Sequence, residues 1–161
     1  MIYKKVLYDD SMGLIGYIKY TDDPNDSFIF HDIKGTIESK RPALPSTAVK
    51  IVDEIEYCEI LDIFVDFDHR GKGIGAGLLK EVIDSNRDKL IFLTAGASKR
   101  VYHEPIEDPT ILNPILKKLS TFYERNGFIN VNDVFGGYEF KVSYLYNNDV
   151  SQKILGIANM R

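Results

Sequence analysis

One cysteine, Cys58, stands among 161 residues, so no intramolecular disulfide forms. A zinc site of the Cys/His type cannot be assembled from it and the scattered His31, His69 and His103; no metal is expected. The chain also lacks any run near the ~18 apolar residues that a membrane span requires. Its opening, MIYKKVLYDD, carries no apolar stretch of signal-peptide length behind the basic residues. A soluble protein of the reducing cytoplasm is expected, with no membrane partner. Basic charge is in short supply too: 20 Lys and Arg stand against 24 Asp and Glu, a formal net charge of −4 with a pI near 5.4. That balance argues against a protein whose work is gripping nucleic-acid phosphates. Repeats, low-complexity tracts and a Ser/Gly/Pro linker are missing. With a length close to the ~150 residues of a typical domain, a single domain over 1–161 is expected, burying roughly 70% of its unfolded surface.

What the chain does hold is 44% hydrophobic and 27% charged residues, an ordinary globular balance. Ile2 to Tyr8, Leu14 to Tyr20 and Phe28 to Ile33 read as an antiparallel meander, because β-branched and aromatic residues alternate with turn formers such as Asp22-Asp23-Pro24-Asn25-Asp26. Pro42 and Pro45 predict a loop over Lys40 to Ser46, with Ser46 capping a short helix through Val52. Tyr57 to Phe67 is apolar on both parities, the pattern of a central strand covered on both faces; Asp62 is the exception and needs a partner. Ile74, Leu78, Val82 and Ile83 recur at helical spacing through about Arg87, and Leu90 to Thr94 is a second buried strand, completing a strand–helix–strand unit. Asn113-Pro114 predicts a helix start, with Ile115, Leu119 and Phe122 as its buried stripe and Gly127 as its end. Phe128 to Val134 and Tyr138 to Tyr146 supply two more strands joined by a Gly136-Gly137 turn. The fold class is α/β with a mixed sheet.

Between the central strand and its helix lie Gly71, Gly73, Gly75 and Gly77, alternate positions where a helix is beginning. Each glycine within a helical turn costs up to ~1 kcal/mol relative to alanine, so the arrangement needs an offsetting gain. Backbone N–H groups at a helix mouth free of β-carbons can enclose a phosphate or pyrophosphate, aided by the helix dipole, and Arg70 and Lys72 add positive charge there. The plainer alternative is a flexible turn followed by tight helix-on-sheet packing. A Walker loop fails, because Gly71-Lys72-Gly73 lacks the hydroxyl that would hold Mg²⁺. A dinucleotide fingerprint is met formally by Gly71, Gly73 and Ala76. However, Asp66 to Arg70 separate the strand from the first glycine, and Leu93-Thr94-Ala95 supplies no acid for a ribose.

Leu61-Asp62-Ile63-Phe64-Val65, followed by Arg70-Gly71-Lys72-Gly73-Ile74-Gly75 opening a helix with Leu78-Leu79, resembles the GNAT (GCN5-related) N-acetyltransferase family. Its signature is Arg/Gln-x-x-Gly-x-Gly/Ala. Phe122-Tyr123-Glu124-Arg125-Asn126-Gly127-Phe128 is similar to the family's second segment, and the likeness covers roughly residues 55–146. The resemblance implies a mixed, mostly antiparallel sheet splayed at its central strands, flanked by helices, with acetyl-CoA as co-substrate in the opening. Pantetheine would pair with the backbone of Ile63, Phe64 and Val65, and the pyrophosphate would sit on Gly71, Lys72, Gly73, Ile74, Gly75 and Ala76, next to Arg70. Tyr123 matches the tyrosine that protonates the CoA sulfur, and Glu59 is the candidate base for the amine proton. Their bland counterparts are a core tyrosine and an ordinary ion pair.

The implied reaction is acetyl transfer to a primary amine of a small molecule or peptide by direct attack in a ternary complex. A catalytically silent acyl-CoA-binding sensor of the same fold is the alternative. The chain departs from the family at three places. Thr94 stands where some members carry a glutamate base, Asp66-Phe67-Asp68 replaces a common proline, and the strand-rich opening leaves little room for the two helices that usually follow the first strand. Cys58, without a neighbouring histidine in sequence, reads as a small hydrophobe and not as an acyl-carrying nucleophile. The long connection Gly96 to Leu112 is a candidate acceptor-binding element. Six aspartates between Asp9 and Asp32, against Lys19 as the only Lys or Arg there, suit a cationic amine or are simply solvated turns. A homodimer is compatible with the sequence, which does not specify an oligomeric state.

Overall fold

The computed structural model describes residues 1–96, 106–136 and 140–160. An antiparallel hairpin of β1 (Ile2–Tyr8) and β2 (Leu14–Thr21) opens the chain, and the helices α1 (Phe28–Lys40) and α2 (Ser46–Glu54) follow it. The expected strand–helix–strand unit is β3 (Tyr57–Val65), α3 (Ile74–Ser85) and β4 (Leu90–Ala95). Then come α4 (Pro109–Arg125), β5 (Phe128–Asn130), the single turn α5 (Asn132–Phe135), β6 (Val142–Tyr146) and α6 (Asp149–Ala158). The strands form one sheet in the order β1-β2-β3-β4-β6-β5. Among the described residues every pairing is antiparallel except that of β3 with β4. Among the described residues no helix is long and apolar enough to cross a membrane.

Both faces of the sheet are covered, and β4 shows why its sequence is apolar without a break. Ile91 and Leu93 pack with Leu78, Leu79 and Val82 of α3 and with Tyr123 of α4, whereas Leu90 and Phe92 pack with Ile33 and Ile37 of α1 and Ile154 of α6. Burying such side chains stabilises the fold by about 1.5–3 kcal/mol each.

The sheet opens along its one parallel seam. β3 and β4 pair only where Tyr57, Cys58 and Glu59 meet Leu90, Ile91 and Phe92. Beyond that rung β3 stays with β2 as far as Val65, and β4 stays with β6 as far as Ala95. A bulge accompanies the divergence: Tyr20 faces Ile60 and Lys19 faces Asp62, so Leu61 has no partner. One extra residue bends the strand and resets its alternation. Ile63 therefore rejoins Ile60 and Cys58 on the α3 face.

Several expected elements need correction. Phe28 to Ile33 is the first half of α1, not a third strand: Ser27 accepts a hydrogen bond from the Phe30 amide as N-cap, and Ile29, Phe30, Ile33 and Ile37 fall on one buried helical stripe. Aromatic and β-branched content mimicked a strand because strand propensity reports burial more than backbone preference. The two helices judged to lack room are α1 and α2, placed after the second strand. α4 begins five residues early, with Asp108 as cap and Pro109 in the first turn, and it carries Pro114 inside. The residues after Asn130 turn into α5 where a strand through Val134 was expected. Residues 137–139, with the expected Gly136-Gly137 turn and the start of the last strand, lie outside the described residues, as do 97–105 of the long connection. α6 was missed altogether. Its signal was the capping box of Asn148 and Ser151, and the Asn148 amide also donates to the Arg87 and Lys89 carbonyls.

Candidate active site

The glycine loop is built by two left-handed residues. After β3 a tight turn over Phe67–His69, capped by Asp66, leads to Gly71 at φ 78° and Gly73 at φ 76°, conformations that residues with a β-carbon adopt only at a cost. Gly73 is the N-cap of α3 and supplies no side-chain cap. The Gly77 amide already bonds the Gly73 carbonyl at 3.0 Å, so the amides ahead of it are the unsatisfied ones of the first turn. Arg70 does more than add charge: its Nε donates to the Val65 carbonyl at 3.1 Å, tying the loop to the end of β3. Lys72 is exposed beside it. A β-carbon at Gly75 would stand in ordinary van der Waals contact, 3.5 Å from the Phe122 ring and 3.6 Å from Val65, so a methyl would fit there and only a larger side chain would crowd those neighbours. α4 and α3 thus meet over the edge of β3 that the split exposes.

Glu59 sits on the last shared rung of β3 and β4, with two small hollows meeting at its carboxylate. One, of about 190 Å³, also involves Ser27, Phe28, Thr94 and Lys141. The other, of about 170 Å³, runs past Asp26 and Asp23 to Ile2 and Leu61. Glu59 Oε2 is buried and has no hydrogen-bond partner among the described residues. Burial holds this carboxyl above the usual carboxylate range, with Ser27 pulling the other way.

Tyr123 lies on the opposite, α3 face of the sheet, buried in the core there. Its ring packs against Phe122 at 5.1 Å, Tyr144 at 5.2 Å and Phe128 at 5.8 Å. Burial, reinforced by Tyr144 and the charge of Asp62, pushes its phenol up to about 12. Asp62 has the partner its sequence position demanded, the Tyr17 hydroxyl, which donates to it at 2.7 Å. Cys58 is fully buried, and burial pushes its thiol up to about 12. A group in that state is not a thiolate nucleophile.

Glu59 thus stands on the last shared rung, residues 63–65 continue β3 beyond it and lead into the loop 70–76, while Tyr123 is buried in the core on the α3 face. Sequence reasoning missed Ser27, Phe28 and Lys141. Ser27 was legible as an N-cap three residues ahead of Phe30, whereas Lys141 reaches the site only through the β4–β6 pairing. A hollow of about 590 Å³ lies elsewhere, between Glu54, Asn86 and Lys153 at the other end of the β3–β4 seam.

A mixed sheet that parts between two parallel strands, with a glycine-built helix mouth at the opening, is an acyltransferase framework. The acetyltransferase (GNAT) domain profile matches residues 6–130, and the chain belongs to the GNAT acetyltransferase family. Comparison with curated protein sequences finds no match. Among solved structures the chain is similar to NAA60 of Arabidopsis thaliana in complex with a bisubstrate analogue, at 17% identity and a TM-score of 0.52 over 92% of this chain and 76% of that one. It is also similar to histone acetyltransferase HPA2 and related acetyltransferase from Corynebacterium glutamicum, at 14% identity and a TM-score of 0.50 over 90% of this chain and 64% of that one. At such identities the likeness is one of fold.

Proposed function

We propose that these residues act as one cytoplasmic domain that moves the acetyl group of acetyl-CoA onto a primary amine of a small molecule or peptide, by direct attack while both are bound. The observation that carries this reading is the split itself. Among the described residues, 63–65 pair with β2 along one edge and with no strand along the other, and that edge leads to a helix mouth without a side-chain cap. An extended pantetheine suits the first, because backbone donors and acceptors left without a strand call for other partners. A pyrophosphate suits the second.

Glu59 and Tyr123 flank the opening from opposite faces and divide the proton work. The amine nitrogen attacks the thioester carbonyl carbon, the carbon–sulfur bond breaks, the amine proton passes to Glu59, and the sulfur takes a proton from Tyr123. Solvent returns the proton from one to the other. A carboxyl raised by burial is the stronger base for this step. A phenol near 12 stays protonated at any working pH. Full transfer to a thiolate of ordinary pKa ~8.5 runs uphill, so Tyr123 acts first as a hydrogen-bond donor to the developing charge on sulfur. The buried, protonated state of Cys58 supports direct attack over an acyl-cysteine route.

Melting curves with acetyl-CoA, CoA, NAD and ATP, followed by thiol release with a panel of amines, test the proposal. Stabilisation by acetyl-CoA and thiol release with at least one amine are expected. Stabilisation by NAD or ATP instead would overturn it, and tight acetyl-CoA binding with no release for any amine would identify a sensor.

A further inference from the structure

Asp62 is the one charged side chain on β3 beyond its last rung with β4, and neither proton step of the transfer uses it. The Leu61 bulge decides where it points. With unbroken alternation Asp62 would share the α3 face with Cys58 and Ile60, a carboxylate in an apolar core; the extra residue turns it to the face of Glu59 instead. There the Tyr17 hydroxyl donates to its Oδ2 at 2.7 Å. Among the described residues Oδ1 accepts no hydrogen bond, and Lys19, directly across the ladder, forms no ion pair with it.

Tyr17 is itself held in place. Its ring stacks on Phe64 at 5.5 Å, and the Lys4 ammonium lies over it at 4.2 Å. The bond to Asp62 pushes the phenol up to about 12, so the hydroxyl keeps its proton and keeps donating at any working pH. A carboxylate tied through one oxygen presents the other in a fixed direction. The glycine loop sets the direction of the donor: a pyrophosphate at residues 71–76 sends the pantetheine from Val65 back toward Ile63, which brings the thioester to the Asp62 end of the run. Glu59 lies three residues further back, up to roughly 10 Å along the strand, a gap that calls for a bridging water.

Resting on the acetyl-transfer reading above, we infer that Asp62 grips the attacking amine, its free oxygen accepting an N–H of the nitrogen beside the thioester while Tyr17 holds the carboxylate in position. A neutral primary amine has two N–H bonds. As its nitrogen bonds to the carbonyl carbon and the carbon–sulfur bond breaks, one proton passes through water to Glu59; the sulfur is protonated as before. The other N–H stays on Asp62 and is the one the product amide keeps. Asp62 remains ionised throughout, a fixed negative charge beside the positive charge that grows on nitrogen. A secondary amine has a single N–H and cannot satisfy both carboxylates.

The test measures kcat/KM at saturating acetyl-CoA for the primary amine turned over fastest in the panel and for its N-methyl derivative. It uses the parent, Asp62→Ala, Tyr17→Phe and the double variant, with Tyr3→Phe as control, since the Tyr3 hydroxyl donates to Asp22 at 3.1 Å in a like pair at the free edge of the sheet. Asp62→Ala should lower kcat/KM for the primary amine by about 10- to 100-fold, the worth of a charged hydrogen bond, and should shrink the preference for the primary over the N-methyl amine. Tyr17→Phe should cost about threefold to tenfold, with no further loss when added to Asp62→Ala. Tyr3→Phe should change neither quantity, and stabilisation by acetyl-CoA should be the same in all variants. An unchanged preference in Asp62→Ala, losses that add in full in the double variant, an equal loss in Tyr3→Phe, or loss of acetyl-CoA stabilisation in Asp62→Ala would overturn the inference while leaving acetyl transfer standing. A parent that turns over no amine would overturn transfer itself, and the grip with it.

Discussion

The two sides of the split are made in opposite ways. The proposed donor side is one unbroken run, residues 63–76, in which strand, turn and helix mouth follow each other directly. The hollows at Glu59, on the proposed acceptor side, are collected from Ile2, residues between 21 and 29, Glu59 and Leu61 on β3, Thr94 and Lys141. A contiguous site depends on local backbone conformation, so its weak points are glycines. A collected site depends on packing and charge, so its weak points are the side chains that remain unpaired.

Tyr123 belongs to neither stretch, and changing it should give the largest effect. Tyr123→Phe is expected to lower turnover by about 10² to 10⁴ at saturating acetyl-CoA, while acetyl-CoA affinity stays nearly constant. Turnover near the parent value would mean that water or another group serves the sulfur. The melting temperature checks that the aromatic cluster of Phe122, Phe128 and Tyr144 has survived.

Glu59→Gln should drop turnover by a similar order, and it should also raise the melting temperature at neutral pH. The sign follows from linkage. The native state holds the Glu59 proton more tightly than the unfolded chain, so stability falls as pH rises from the ordinary glutamate pKa through the raised one. A neutral side chain of the same shape escapes that loss. Lower activity with higher stability is the mark of a carboxylate kept for function; a lower melting temperature would return Glu59 to an ordinary structural acid. In the parent, the acidic limb of kcat/KM against pH should lie above the usual glutamate range.

On the donor side, Gly75→Val should abolish stabilisation by acetyl-CoA, because the added methyls would meet Phe122 and Val65 where the chain now leaves room. Gly71→Ala is the mildest change. No atom of the described residues lies within 4 Å of its added β-carbon, so the penalty is conformational, about 1–2 kcal/mol for a left-handed backbone, seen as a melting point lower by roughly 2–8 °C. If Gly71→Ala weakened acetyl-CoA binding more than Gly75→Val, the helix mouth would not be the donor site.

The same contrast explains what was legible. The strand, the glycine loop and the helices that follow could be read because each announces itself locally: an apolar strand, alternating glycines, a helix that ends at a glycine. Phe28 could not be read correctly because Phe28-Ile29-Phe30 carries the composition of a strand, and only packing against β4 and α6 decides for the helix. Asp108-Pro109 and Asn113-Pro114 are the same start signal five residues apart. The first caps α4, and the second, inside it, removes one backbone hydrogen bond.

By itself the sequence determined the family, the order of the central strand–helix–strand unit and the place of the glycine loop, because each rests on residues within a few positions of one another, where backbone preference and hydrophobic period act. Only the tertiary structure decided where β3 and β4 part, that the Leu61 bulge resets the faces of β3, and that Asp26, Ser27 and Lys141 share a corner with Glu59. Those are contacts between distant segments, selected by how two cores fill the two faces of one sheet, and no local preference encodes them.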